Sequence, residues 1–172
     1  MPDTSTTLRL LRHSAHDLVR EVGLTPPDGY LWRPAEGEWS VHECLTHLRD
    51  IEREVFLLRI RRTAAEDRPA LEVFDETQYH KDHWNTDEPL EEILADFVSA
   101  RAEIVAALAG AVDWSRAGTH AVRGPVSLRW QADYALGHTW EHLSQMMRAR
   151  LAYEVSGRAA ASSRRSAAPS AQ

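Results

Sequence analysis

Two histidines near the end of the chain have the spacing of paired metal ligands. His138 and His142 lie four residues apart in a proline-free segment, about residues 128–154, that predicts a helix. Side chains four residues apart on a helix lie on the same face, so these two imidazoles point towards one place. Such a pair can hold a transition metal if a third ligand comes from another helix. Taken alone, the pair is more often two ordinary histidines on a half-buried helix.

A third histidine, His47, lies on a second predicted helix. Ser40 and Glu43 form the capping box that begins this helix, and its apolar residues recur at helical spacing to about residue 65. His47 shares its face with apolar residues, and a buried histidine must be hydrogen-bonded, neutral or metal-bound, because burying it unpaired is costly. Three inward imidazoles from two helices suit a metal site that leaves a position for water or substrate. Neutral imidazole suits zinc, nickel, iron or copper, so the ligand set does not name the metal.

Four helical segments have to position these histidines. Hydrophobic periodicity and helix-capping signals predict them at about residues 4–22, 41–65, 87–110 and 128–154. Four helices of about twenty residues joined by long connections predict an all-α four-helix bundle. The domain is expected to span residues 1–155. The Ala/Ser/Arg-rich segment 156–172 lacks large apolar residues, and we expect it to be a disordered tail.

The connection between the second and third helices, residues 66–87, is long for a compact domain. Such a connection usually has a function or contains a short helix. Fully extended, about twenty residues reach roughly 66 Å, against about 33 Å for a helix of twenty-two residues. The third helix can therefore run parallel to the second. The connection after the third helix carries a weaker signal, for a short hairpin at residues 119–126.

Composition and charge exclude several classes of protein. The net charge of -6, without a basic stripe, argues against nucleic-acid binding. The single cysteine, Cys44, cannot form an internal disulfide, which indicates an intracellular protein. The N-terminal residues lack the apolar core of a signal peptide, and no apolar run approaches the roughly 20 residues of a membrane span. We therefore expect a soluble, cytoplasmic domain that binds no membrane.

Two motifs resemble those of a known family. The segment GEWSVHECLTHL, residues 37–48, is similar to the Trp-Ser-hydrophobic…His-Leu pattern that begins the second helix of the DinB-like (DinB/YfiT-like) metalloenzymes. The segment HTWEHLSQ, residues 138–145, is similar to that family's His-x-x-x-His-x-x-Gln motif in its last helix. The resemblance covers nearly the whole chain apart from the tail. It implies an up-down-down-up four-helix bundle and identifies His47, His138 and His142 as the metal ligands.

Three alternative functions are expected, and the resemblance implies the first two. The first is a metal-dependent transferase that uses a low-molecular-weight thiol, namely mycothiol, bacillithiol or glutathione, activated at the three-histidine site. The second is a metal-dependent hydrolase or lyase, which uses water activated at the metal and acts in specialised metabolism. The third is a non-catalytic bundle that acts as a binding or stress-response protein. The expected cofactor is divalent zinc or nickel, and the expected partners are a small-molecule substrate and a second copy in a homodimer. The Ala- and Arg-rich composition and the Ala/Ser tail suggest a high-GC bacterium such as an actinomycete, for which mycothiol is the natural thiol.

Other side chains are candidates for supporting roles. Glu141 and Asp50 are predicted as catalytic residues that accept hydrogen bonds from the imidazoles, with salt-bridged surface acids as the alternative. Cys44 is interpreted as a small buried filler in preference to a fourth ligand or a reactive thiol. His80 and His83, on the long crossover, are expected to be solvated loop histidines, and a place at the mouth of the site is the alternative.

Three arginines and one further histidine also carry predictions. Arg59, Arg123 and Arg129 are candidates for binding a substrate carboxylate, because guanidinium groups match carboxylate geometry. His42, in the first turn of its helix, is expected to be exposed.

Overall fold

The computed structural model describes residues 3–166. Helices form most of it and begin and end close to the predicted boundaries. They are α1 (Thr4–Leu24), α2 (Val41–Ile51), α3 (Leu58–Ala65), α4 (Glu76–His83), α5 (Leu90–Gly110) and α6 (Leu128–Ser166). None of the helices within the described residues is long and apolar enough to cross a membrane.

The second bundle helix is one continuous rod. The segment Glu52–Leu57 joins α2 to α3 as a π-helical turn, so helical backbone runs from residue 41 to residue 65, as predicted. We call this the α2–α3 rod. At its start, the Ser40 side chain accepts a hydrogen bond from the Glu43 amide while the Glu43 carboxylate accepts one from the Ser40 amide. This is the predicted capping box. Together with α1, α5 and α6, the rod forms a four-helix bundle, which confirms the predicted fold class.

Side-chain pairs define the direction in which each helix runs. Residues early and late in α1 contact residues early and late in α6, and the same holds for the α2–α3 rod and α5, so the helices of each pair are parallel. The pairs are Thr7–Asp133, Glu21–Arg150, Arg49–Glu88 and Arg61–Glu103, and Glu88 lies just before the first residue of α5. The rod and α6 are antiparallel, because Thr63 contacts Gln131 while Cys44 contacts Gln145. The order is therefore up-down-down-up, and the long crossover makes the parallel second pair possible.

A buried polar layer separates two apolar clusters in the core. Each of the four bundle helices contributes one side chain to this layer: Ser14, Glu52, Arg101 and Thr139. On α1, α5 and α6, the residue of the layer falls between positions of one cluster and positions of the other. On the rod, Glu52 directly follows Ile51, the first position of the second cluster along the rod. The layer fixes how the four helices align along their axes, since its hydrogen bonds form in one register only.

A small three-stranded sheet covers one end of the helical bundle. β1 (Ala70–Leu71) pairs in parallel with β2 (Ala117–His120), and β2 pairs antiparallel with β3 (Gly124–Ser127). The two long connections thus pair with each other. At Gly118 a Cβ atom would lie only 2.8 Å from the Leu71 side chain, so the close approach of β2 to β1 requires glycine there.

Three boundaries differ from the prediction. α1 continues through Gly23 to Leu24, and α5 begins at Leu90 with Pro89 before it, whereas the predicted helix began at about residue 87. Helical backbone in α6 continues past residue 155, the predicted end of the domain, to Ser166. The rest of the predicted tail, residues 167–172, lies outside the described residues.

Candidate metal centre

The structure brings the three predicted histidines together between facing helices. His47 on α2 and His138 and His142 on α6 each offer a ring nitrogen, and these nitrogens all lie within 4.8 Å of one another. His47 Nε2 and His138 Nε2 are 3.1 Å apart. Two nitrogen ligands of a tetrahedral zinc, at bonds of about 2.0–2.1 Å, lie roughly 3.3 Å apart. The three imidazoles therefore fit a single transition-metal ion.

The surroundings keep these imidazoles in the neutral form that binds metals. Burial is the largest cause that lowers the pKa of His47 to about 2 and that of His138 to about 3. A neighbouring histidine, when protonated, carries a positive charge that lowers both pKa values further. Burial also lowers the pKa of His142. A metal ion competes with protons for these nitrogens, so lowered pKa values favour the metal at neutral pH.

This protonation behaviour predicts how the stability of the metal-free protein depends on pH. The pKa values of the folded state lie below the ordinary 6.5, so below that pH the unfolded chain binds more protons than the folded chain. Stability is therefore retained above about pH 6.5 and falls as the pH is lowered towards 5, by about 1.4 kcal/mol per pH unit for each histidine concerned. Urea unfolding in the presence of a chelator measures the slope. His138→Gln should reduce it, and an unchanged slope in that variant would contradict the prediction.

Gln145 orients His142. Its Oε1 lies 2.6 Å from His142 Nδ1, which donates the hydrogen bond and leaves Nε2 free to face the other histidines. Cys44 Sγ lies 3.7 Å from the same oxygen. Burial raises the pKa of the Cys44 thiol to about 12, so the thiol is protonated at neutral pH and packs as a buried side chain.

Loss of the hydrogen bond between Gln145 and His142 should weaken metal binding. We expect Gln145→Leu to lower metal affinity by about 10–100-fold. Without the hydrogen bond from His142 Nδ1 to Gln145, the His142 ring is no longer held in the tautomer and orientation that suit metal binding. Competition with a metal-sensitive dye measures the affinity. Ser144→Ala, at the exposed neighbouring position, is the matched control and should bind metal like the wild type. Equal losses in both variants would rule out a specific role for Gln145.

Glu141 and Asp50, the two acids predicted as hydrogen-bond partners of the imidazoles, do not contact them in this way. Glu141 borders the cavity of the site but is exposed. Asp50 Oδ1 accepts a hydrogen bond from Arg49 Nε at 2.6 Å, and its Oδ2 is buried without a partner in the described residues. Neither carboxylate forms a hydrogen bond with His47, His138 or His142. Their catalytic roles stay predictions.

The crossover helix α4 closes over one side of the site and buries His80. This ring stacks on Trp39, with centroids 4.7 Å apart, and on Trp84, at 5.8 Å. Both of its nitrogens are buried without a partner among the described residues. The expectation that His80 is solvated is therefore wrong, because the crossover packs against the bundle. His83 is exposed as expected, with Nδ1 donating to the Tyr79 carbonyl at 2.8 Å.

His42 is also buried, contrary to expectation, and fastens the crossover to the start of α2. Its Nδ1 accepts a hydrogen bond from Trp84 Nε1 at 3.0 Å, and its Nε2 donates to the Glu88 carbonyl at 2.9 Å. A residue in the first turn of a helix is usually exposed, but here the returning crossover covers it.

Sequence reasoning missed Glu76, the carboxylate nearest to the ligand set. Its Oε2 lies 3.7 Å from His47 Nε2, and its side chain is 40% exposed. Burial raises the pKa of Glu76, although Arg59 and Arg123 oppose the shift. The available signal was the alternation of polar and aromatic residues in segment 74–84, which suggested a function for the crossover without indicating this residue.

The site opens into a cavity of about 290 Å³. Trp39, Glu76, Tyr134 and Glu141 line it together with the three histidines and Thr77. A larger cavity, of about 880 Å³, borders Trp114 and Arg129, and none of the three histidines lines it. Arg129 donates to Thr7 Oγ1 at 2.7 Å, so this candidate carboxylate-binding residue lies away from the metal centre.

The fold and the site together define a helical bundle with a candidate three-histidine metal centre between two of its helices. The sequence profile of the DinB superfamily matches residues 7–146, and the protein belongs to this superfamily. This confirms the resemblance found in the two motifs. A comparison with curated proteins gives no match.

Two solved structures have a similar fold. YfiT from Bacillus subtilis, described as a probable metal-dependent hydrolase with an unusual four-helix bundle topology, aligns with a TM-score of 0.75 and 18% identity over 85% of each chain. TT2238, described as a four-helix bundle protein, aligns with a TM-score of 0.60 and 21% identity over 85% of this chain and 99% of its own. At these identities the similarity extends to the fold alone.

Proposed function

We propose that this protein is a metal-dependent hydrolase that acts on a small-molecule substrate at the three histidines. One observation carries the proposal: three neutral ring nitrogens within 4.8 Å of one another adjoin an open cavity, with the Glu76 carboxylate 3.7 Å from one of them. His47, His138 and His142 would hold a divalent metal, which when bound would lower the pKa of water and polarise the substrate. The description of YfiT as a probable metal-dependent hydrolase supports the same class of reaction.

The protein's own residues supply proton transfer and positioning. Glu76 is placed to accept a proton from the attacking water and to return it to the leaving group. Its raised pKa suits this exchange, because a general base works best with a pKa near the working pH. Gln145 holds His142 in one orientation, and Trp39 and Tyr134 form aromatic walls of the cavity.

Transfer of a low-molecular-weight thiol is the second candidate. Two adjoining cavities, of about 290 and 340 Å³, provide space for a co-substrate beside the substrate. The thiol would take the place of water as the nucleophile, since a bound metal favours the thiolate.

Turnover by zinc- or nickel-loaded protein tests the proposal. Esters, amides and lactones are incubated with the protein, with and without glutathione or mycothiol, and products are separated by mass spectrometry. We expect water-derived products without any thiol. Glu76→Gln should lower kcat by at least about a hundredfold with metal content unchanged, because general acid–base catalysis contributes factors of about 10²–10⁴. Glu72→Gln, an exposed acid on the same connection, is the matched control.

Two outcomes would contradict the hydrolase proposal. Products that form only with a thiol and contain its sulfur would assign the protein to thiol transfer. No turnover above that of the free metal ion, in a protein that retains its metal, would favour a binding function for the bundle.

A further inference from the structure

A second cavity adjoins the metal centre and is lined by cationic side chains. It has a volume of about 340 Å³, and Glu76 and Tyr134 border both this cavity and that of the three histidines. We call it the basic cleft. The side chains that determine its character are Phe56, Arg59, Phe74, His120 and Arg123.

The two arginines of the basic cleft form no close ion pair in the described part of the chain, and Glu76 is the acidic side chain that borders the cleft with them. Arg59 donates a hydrogen bond to the Glu72 carbonyl, and Arg123 donates one to the Tyr134 hydroxyl at 3.3 Å. Neither forms an ion pair, whereas the Glu76 carboxylate lies beside His47. Burial is the main cause that lowers the pKa of Arg59. The charge of Glu76 opposes this shift, and the charge of Arg123 adds to it. Glu76 therefore compensates the buried cation only in part, and a bound anion would stabilise it further.

His120 adds a neutral hydrogen-bond donor to the same cleft. Its Nδ1 accepts hydrogen bonds from the backbone amides of Val122 and Arg123, at 3.1 and 3.3 Å. Because Nδ1 is an acceptor, the ring proton of the neutral imidazole is on Nε2. The tight turn between β2 and β3 therefore fixes the tautomer of His120 and makes Nε2 a donor.

Aromatic side chains connect the basic cleft to the metal centre. Phe56 is buried, with its ring centroid 5.6 Å from that of His138 and 5.8 Å from that of Tyr134. Phe74 lies on the crossover and lines the cleft from the other side. A ligand that extends from the arginines towards the histidines thus passes over aromatic surface.

We propose that the basic cleft binds the carboxylate of a substrate with an aromatic or apolar body, whose reacting bond then lies at the three histidines. Guanidinium groups bind carboxylates through paired, charge-assisted hydrogen bonds, and the apolar wall accommodates the rest of the molecule. The position of the reacting bond rests on the proposed hydrolase function. Binding of the carboxylate does not.

Calorimetric titration of the metal-loaded protein with 3-phenylpropanoate tests the cleft, with 3-phenylpropanamide as the uncharged counterpart. We expect the carboxylate to bind at least about tenfold more tightly than the amide, because one charge-assisted hydrogen bond contributes about that difference in affinity. Arg59→Gln and Arg123→Gln should each remove this preference. Arg61→Gln, exposed on the same helix and paired with Glu103, is the matched control and should retain it. Equal affinity for acid and amide in the wild type, or a preference that survives both substitutions, would overturn the proposal.

A titration of His142→Ala separates the cleft from the metal and from catalysis. If the carboxylate binds in the cleft, the variant keeps the preference for acid over amide and its dependence on Arg59. A preference that is lost with the metal and is unaffected by Arg59→Gln would place the carboxylate on the metal and overturn the proposal.

Two further outcomes concern the proposed function. If the wild type binds 3-phenylpropanoate in the cleft but hydrolyses none of the esters, amides and lactones, the cleft is retained and only the hydrolase function is refuted. Glutathione, whose carboxylates are attached to a polar body, should bind more weakly. Tighter binding would assign the cleft to a thiol co-substrate and overturn its assignment to the substrate.

Discussion

Replacement of His142 by alanine is expected to reduce metal content from about one equivalent per chain to nearly none. Loss of an outer partner of a ligand costs about 10–100-fold in metal affinity, and loss of the ligand itself should cost more. His47 and His138 would then remain as two ligands, which is fewer than the three of zinc enzymes. Elemental analysis of tag-free protein after dialysis measures the effect.

The matched control for this experiment is His13→Ala. His13 is exposed on α1 and is absent from the ligand cluster, so the variant should retain wild-type metal content. Little metal in the wild type, with the helical fold intact, would refute the metal centre. The three histidines would then be neutral core residues, and the search should turn to ligands of the cavity.

Removal of the buried arginine is expected to have the largest effect on stability. Arg101 and Glu52 are each 1% exposed and form a paired salt bridge, with the second bond, from Nη2 to Oε2, at 2.9 Å. Arg101 also donates to Ser14 Oγ at 2.9 Å and to Thr139 Oγ1 at 2.7 Å. Arg101→Met would leave the Glu52 carboxylate buried and unpaired, at a cost of about 3–5 kcal/mol in the free energy of unfolding.

Urea unfolding of single and double variants measures this effect. Glu52→Leu together with Arg101→Met should recover most of the loss, because an apolar pair of similar volume avoids the unpaired charge. An exposed pair between the same two bundle helices, Arg61 and Glu103, provides the control, and Arg61→Met should cost about 1 kcal/mol or less. A similar cost for Arg101→Met and Arg61→Met would show that burial does not determine the contribution of the pair. Should Arg101→Met fail to fold, Thr139→Val is the milder test of the same layer.

The local sequence determined the helices and indicated the three histidines of the candidate metal centre. The capping box at Ser40 and Glu43 and the periodic apolar positions lie within a few residues of one another, so they specify a helix whatever surrounds them. The spacing of His138 and His142 places both on one helical face for the same reason. His47 required one more step, from the apolar face of α2 to the assumption that this face meets α6. The long crossover also indicated correctly that the second and third bundle helices run parallel.

Only the tertiary structure decided which residues of the irregular connections join the site. Glu76, His80 and His120 come from segments without strong periodicity, and their positions depend on packing against residues distant in the chain. The same holds for the pairing of Arg101 with Glu52, forty-nine residues apart. A charged side chain among apolar helix positions indicates that a partner is needed, but the partner is selected by the alignment of the packed helices. Local patterns therefore specified the helices and their inward histidines. Contacts between distant segments determined which acid lies beside these histidines and which cations line the basic cleft.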